Sequence, residues 1–141
     1  MKLPRLATAM TPFPYSVNVG DKVEDAMDLM NDHGIRHVPV TDGAEVVGIV
    51  TDRDVKAAQR LLPDLKDYPV ETVAETEPFV TDIETRLDEV LLVMVERQIG
   101  SAIVTRKGRL AGVFTSVDAC AAMAELLNQH YARGDAPGDA A

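Results

Sequence analysis

The chain of 141 residues has no tryptophan, three tyrosines and three phenylalanines, so any core it builds is aliphatic. Its single cysteine, Cys120, excludes an intrachain disulfide and fits a reducing compartment. On a helix, such a cysteine is expected to be a small buried packing residue. Basic residues are scarce: 14 Lys and Arg against 23 Asp and Glu leave a net charge of −9. That balance argues against broad non-specific attraction to nucleic acid or an anionic membrane. No apolar run approaches the roughly 20 residues that span a bilayer, and the opening Met1-Lys-Leu-Pro-Arg-Leu-Ala7 lacks the apolar stretch of a signal peptide. His33, His37 and His130 stand apart, with no second Cys or His at metal-ligand spacing. No nucleophile elbow, phosphate loop or dinucleotide fingerprint occurs. The expectation is a cytoplasmic protein without metal, membrane contact or catalytic residues.

What the chain does have is a repeat. Residues 14–54 moved forward by 64 positions fall without a gap on residues 78–118. Eight positions are identical: Pro14/Pro78, Met30/Met94, Ile35/Ile99, Val40/Val104, Thr41/Thr105, Gly48/Gly112, Thr51/Thr115 and Asp54/Asp118. Ordinary composition gives about three by chance. The placement carries more weight than the count, because both copies end in glycine, two apolar residues and Thr-x-x-Asp. A duplicated unit ending in one polar constellation predicts two pseudo-symmetric half-sites and a binding function.

Periodicity places the motifs. Residues 1–13 read as a lead-in with a helical turn near Leu6–Met10, closed by Pro12 and Pro14. In repeat 1 (14–62), Tyr15–Val19 reads as a strand, and Asp21 as the cap of a helix over Lys22–Asp32 with Glu24 as its capping-box partner. Val23, Ala26, Met27 and Met30 form the apolar stripe of that helix. Gly34 ends it. His37–Thr41 and Val46–Val50 follow as strands around an Asp42-Gly43 turn, and a second helix runs from Thr51 to about Leu62. Residues 63–72 read as a linker. Repeat 2 (73–130) follows the same order: Phe79–Ile83, a helix over Leu87–Arg97, Ser101–Thr105, Leu110–Phe114 and a helix over Ser116–His130. The tail, 131–141, is small and polar enough to be disordered. The fold class is α+β: two pseudo-symmetric strand-helix-strand-strand-helix repeats packed through their sheets, since neither sheet can be buried alone.

These residues resemble the tandem CBS-domain proteins (Bateman modules) of the small stand-alone bacterial type. In repeat 1 the likeness runs through Met27, Met30, Gly34-Ile-Arg-His-Val-Pro-Val40 and Gly48-Ile-Val-Thr-Asp-Arg-Asp54. In repeat 2 it runs through Met94, Ile99, Ala102-Ile-Val104 and Gly112-Val-Phe-Thr-Ser-Val-Asp118. The resemblance implies a non-catalytic, regulatory module. It also implies an adenosyl ligand (AMP, ADP, ATP or S-adenosylmethionine) held between the repeats, and flat dimers of modules. Repeat 2 departs from the pattern by carrying Ile103 for Pro39 and Gly100-Ser101 for Arg36-His37, which weakens any claim that both sites take the same ligand.

The local chemistry agrees. A threonine at a strand-to-helix junction presents its hydroxyl beside the first helical N–H groups, an anion site, and an aspartate in the first turn can accept from ribose hydroxyls. Thr51 would also serve simply as an N-cap, worth about 1 kcal/mol, and Asp54 as a complement to the helix dipole, worth roughly a few tenths of that. Repeat 1 alone surrounds this motif with Arg36, His37, Arg53 and Lys56, and the guanidinium fork suits phosphate. In the family, the positions of Arg36 and His37 face ligand phosphates, and those of Ile35 and Ile99 sandwich the base; both isoleucines serve equally well as core residues. Repeat 2 offers Ile99, Ser101, Thr115, Ser116 and Asp118 as the weaker set. The phosphorylated ligand is therefore expected at the Asp54 site.

Three functional classes remain: an adenosyl-ligand sensor controlling a separate effector protein, a ligand-free assembly module, and, least favoured by charge and by the absence of an aromatic-basic stripe, nucleic-acid binding. Leu87–Val95 is apolar nearly all round and Ala119–Ala124 is rich in small residues, which predicts a homodimer through the repeat 2 helices.

Overall fold

The computed structural model describes residues 2–12 and 15–132. Met1, Phe13, Pro14 and all but the first two residues of the expected disordered tail lie outside them. Helix α1 (Leu6–Ala9) and strand β1 (Thr11–Pro12) open the chain. Repeat 1 comprises β2 (Val17–Asn18), α2 (Val23–His33), β3 (His37–Asp42), β4 (Glu45–Thr51) and α3 (Asp52–Gln59). Repeat 2 comprises β5 (Val80–Asp82), α4 (Leu87–Arg97), β6 (Ser101–Arg106), β7 (Arg109–Thr115) and α5 (Ser116–His130). In each repeat the first strand runs parallel to the second and the second pairs antiparallel with the third. The registers repeat as well: His37 faces Thr51 as Ser101 faces Thr115.

The elements follow from local chemistry, with one correction at a cap. Asp21 does not cap α2. Its carboxylate accepts from Asn18 N (2.9 Å), and Lys22 is the capping position, its N–H donating to Asp25 Oδ2 at 3.0 Å. Asp25, not Glu24, stands where a first-turn carboxylate can reach back to that N–H. Gly34 ends α2 in the left-handed region, at φ +63°, while α4 ends on Gln98 at φ +53°, a conformation unfavourable for a residue with a Cβ. Tyr15 stacks on His33 at 3.6 Å, and Arg97 lies over Phe79 at 5.2 Å. Each contact ties the approach to a strand onto the last turn of the next helix.

Each sheet is covered by helices on one face and by the other sheet on the second. Val38, Val40 and Val50 join Val23, Ala26 and Met30 in one core; Ala102, Val104 and Phe114 join Val90 and Met94 in the other. Pro39, Ile49, Ile103 and Val113 are buried but belong to neither core. Strand alternation turns them to the opposite faces, where β4 meets β7.

The segments outside the repeats are built into these cores, crosswise. Leu6 of the lead-in is 1% exposed inside the repeat 2 core, and β1 pairs with β7, Thr11 opposite Val113. Pro12 sits within that pairing, at the sheet edge where a residue without N–H is tolerated. The stretch read as a linker places Leu65 and Val70 in the repeat 1 core, Val73, read as the start of repeat 2, joins them there, and Ile49 exchanges both backbone hydrogen bonds with Glu75 (3.0 and 2.8 Å). Moved by 64, Leu6 falls on Val70 and Thr11 on Glu75. The same device thus serves both repeats, and it explains the shared glycine. A Cβ on Gly48 would lie 2.8 Å from Glu75 O, and one on Gly112 would lie 2.7 Å from Thr11 O.

Candidate functional site

Both Thr-x-x-Asp motifs lie at a strand-to-helix junction held by one backbone frame. Asp52 N donates to Arg36 O at 2.9 Å, and Ser116 N donates to Gly100 O at 3.0 Å. The junction therefore carries the end of one hairpin strand, the start of its partner and the first turn of a helix. In repeat 1 this unites Arg36 and His37 with Thr51, Arg53 and Asp54. In repeat 2 it unites Ser101 with Thr115, Ser116 and Asp118. Both threonines are true caps: Thr51 Oγ1 accepts from Asp54 N at 3.1 Å, and Thr115 Oγ1 from Asp118 N at 3.3 Å. Ile35 and Ile99 are half-buried and packed on the edges of the two cores.

The two aspartates differ in what their carboxylates do. Asp118 Oδ2 accepts from Thr115 N (2.9 Å) and Thr115 Oγ1 (3.1 Å), and Thr11 Oγ1 donates to the same carboxylate at 3.4 Å. Asp54 is exposed, and among the described residues its carboxylate accepts no hydrogen bond. The pseudo-symmetric strap explains part of this difference: Thr11 offers Asp118 a hydroxyl, whereas Glu75, its counterpart, is an acceptor and turns its Oε1 to Glu77 N at 3.0 Å. Thr11 and Glu75 both lie outside the repeated stretches 14–54 and 78–118, and the same 64-residue shift carried back to Leu6 and Val70 aligns them.

Charge is also unequal. Arg36 and Arg53 are exposed on the Asp54 side, but Lys56 is engaged by Asp52 at 3.0 Å, so that cation is partly spent. His37 is half-buried; desolvation holds its pKa below the usual imidazole value, Arg36 lowers it further, and Asp118 opposes both. His37 is therefore held toward the neutral form, although the Asp118 carboxylate of the other repeat acts in the opposite sense. Ser116 is exposed, its Oγ donating to Gly100 O at 3.4 Å. Among the described residues there is no cluster of three or more His, Cys, Asp or Glu side chains able to hold a metal, and no helix long and apolar enough to cross a membrane. Cys120 is exposed, contrary to the expected burial, because it lies on the outer face of α5.

Comparison with known proteins identifies this architecture. The CBS domain matches twice, over residues 6–60 and 70–125, so each match includes the segment that crosses to the other repeat. The chain is 35% identical over 104 residues to an inosine-5'-monophosphate dehydrogenase of Korarchaeum cryptofilum, covering 73% of this chain but only 21% of the dehydrogenase. It is 30% identical over 100 residues to the uncharacterized protein YlbB of Bacillus subtilis, covering 70% and 68% of the two chains. Among solved structures, a putative acetoin utilization protein (AcuB) from Vibrio cholerae superposes with a TM-score of 0.80 at 28% identity over 92% of this chain and 97% of its own. CBSX2 in complex with AMP (TM-score 0.73, 24% identity, 86% and 97% covered) shares the fold. So does the CBS domain of a bacterial CNNM/CorC family Mg2+ transporter in complex with ATP (TM-score 0.73, 22% identity, 85% and 87% covered). The chain belongs to the CBS-domain family and carries two such domains in tandem.

Proposed function

We propose that this tandem module is a regulatory sensor that binds one adenine nucleotide at the Asp54 half-site and controls a separate partner protein. The observation that carries the reading is the free Asp54 carboxylate in the first turn of α3, beside exposed Arg36 and Arg53, against an Asp118 carboxylate already committed to Thr115 and Thr11. Ribose hydroxyls are donors seeking a carboxylate, and phosphate seeks guanidinium groups and a helix N-terminus. The AMP and ATP complexes of structural relatives support the ligand class. Ile35 closes the apolar end of the site and His37 donates to phosphate. Ile99, Ser101, Thr115, Ser116 and Asp118 form a weaker second site, because a ligand there must first break the capping bonds.

Output runs through the repeat 2 helices. Leu92 and Val95 on α4, and Val117, Met123 and Leu127 on α5, are all exposed. The corresponding repeat 1 positions are Asp28, Asn31, Arg53, Gln59 and Pro63. An apolar face confined to one repeat suits a homodimer. A ligand regulates such an assembly only by binding one geometry better than another.

The test is thermal stability with AMP, ADP, ATP and S-adenosylmethionine, for wild type, Asp54→Ala and Asp118→Ala. Ligand at 100 times its dissociation constant stabilises by about 2.7 kcal/mol. The expected result is a shift with adenine nucleotides that Asp54→Ala abolishes and Asp118→Ala leaves in place. No shift with any of the four would favour a ligand-free assembly module.

A further inference from the structure

The Asp54 half-site offers a phosphate few donors. Of the first three N–H groups of α3, Asp52 N donates to Arg36 O at 2.9 Å and Asp54 N to Thr51 Oγ1 at 3.1 Å, so among the described residues Arg53 N alone is left. The exposed guanidinium groups of Arg36 and Arg53 supply the cations. His37, held toward the neutral form, adds a hydrogen bond with little charge, and the Asp118 carboxylate of the other repeat acts on the same imidazole. The start of α3 also carries a charge of its own. Asp52 holds the first helical position, and its side chain is 31% exposed, against 70% for Lys56, its ion-pair partner at 3.0 Å. The carboxylate is the fixed member of that pair and the ammonium, on a flexible stem at the surface, the mobile one, so the pairing screens Asp52 only in part. Repeat 2 carries Ser116 at the same place.

We infer that the Asp54 half-site is a monophosphate site, which takes AMP in preference to ADP and ATP, and that Asp52 sets this preference. The inference rests on the nucleotide reading above and narrows it. A phosphate monoester carries about −1.5 to −2 charge at pH 7, which two guanidinium groups balance while the Asp54 carboxylate is occupied by ribose hydroxyls. Two planar forks and one N–H also meet the acceptor oxygens of a single phosphate. A second or third phosphate brings further charge to a half-site with no cation left over: Lys56 is engaged, and Asp52 lies in the same first turn of α3. One unbalanced like charge about a helical turn away is opposed by an amount between the limits for water and for a protein surface, roughly tenfold in affinity. The charge on Asp52 therefore opposes the longer phosphate chain more than the short one.

The test is the set of dissociation constants of AMP, ADP and ATP for the full chain, measured by titration calorimetry at about 0.15 M salt without divalent cations. In the wild type AMP is expected to bind roughly tenfold more tightly than ATP, with ADP between them. Asp52→Asn, which removes the charge and releases Lys56, should cut that preference by about threefold or more through tighter ATP binding, with AMP little changed. Asp52→Glu should retain it. Asp52→Ser, the residue that repeat 2 carries there, serves if Asp52→Asn lowers the melting temperature strongly. ATP bound as tightly as AMP by the wild type, or a preference that both neutral variants leave unchanged, would overturn the inference while the nucleotide reading stood. If none of the three nucleotides bound, that reading would fall and this inference with it.

Discussion

Replacing Leu65 by alanine should cost as much as a substitution in the middle of a core, although the residue lies between the repeats. Leu65 is 1% exposed and contacts the repeat 1 core through α2. Truncation of a fully buried leucine costs about 2.7–5 kcal/mol, the spread reflecting how far the cavity collapses. The 3-10 turn that carries Leu65 sits at the surface and can relax, so a value near 3 kcal/mol is expected. For a chain of this size 1 kcal/mol moves the midpoint by roughly 3–5 °C, giving a drop of about 10 °C by circular dichroism. Leu61, four residues away and 82% exposed, is the control; Leu61→Ala should stay within about 0.5 kcal/mol. Leu6→Ala should match Leu65→Ala through the other core, and the double variant should be additive to about 0.5 kcal/mol because the clusters are separate. A Leu65→Ala midpoint within 2 °C of Leu61→Ala would refute the crosswise construction of the cores.

Gly48→Ala should destabilise by about 1–3 kcal/mol in urea titration, because its Cβ would meet the Glu75 carbonyl at 2.8 Å and backbone cannot yield as a flexible side chain does. Gln98→Gly should stabilise by about 1 kcal/mol, relieving the left-handed conformation that Gly34 adopts without strain in repeat 1; an unchanged midpoint would contradict that. His37, with its folded pKa held below the unfolded 6.5, contributes no pH dependence above that value. As pH falls below 6.5 the unfolded chain takes the proton first and stability is lost, until the folded pKa is reached. His37→Gln should therefore flatten the stability profile between pH 6.5 and that lower limit; identical wild-type and variant profiles would rule out the burial effect.

The sequence made the interiors of the repeats legible and left their boundaries obscure, for a physical reason. The bounds of α4 and α5 agree with those read from apolar spacing and the Thr115 junction, because an amphipathic stripe and a cap are local signals. The strands before each first helix are shorter than expected, since a parallel edge pairing of two or three residues leaves little periodicity. Leu6, Leu65 and Val70 were out of reach for a different reason. Each contacts a core through residues far away in sequence, and an isolated leucine between prolines and charges carries no period. The half-sites divide the same way. Thr51 and Asp54 announce themselves by spacing and duplication, whereas the hydroxyl of Thr11 reaches Asp118 across 107 positions.

What duplication hides, its failures reveal. A residue kept in both copies, such as Gly48 and Gly112, reports a shared structural demand: here, backbone passing within van der Waals contact. A residue that differs at an equivalent position can report a demand of one copy alone, and two such differences bear on the half-sites. Thr11 against Glu75 adds a hydroxyl donor to Asp118 that Asp54 lacks. Arg36-His37 against Gly100-Ser101 leaves basic side chains at these positions in repeat 1 alone. On the proposed reading, both differences set the ligand beside repeat 1. A symmetric scaffold can diverge in this way without any change in its core, because a half-site is made at a strand end, where substitution leaves the packed layers untouched.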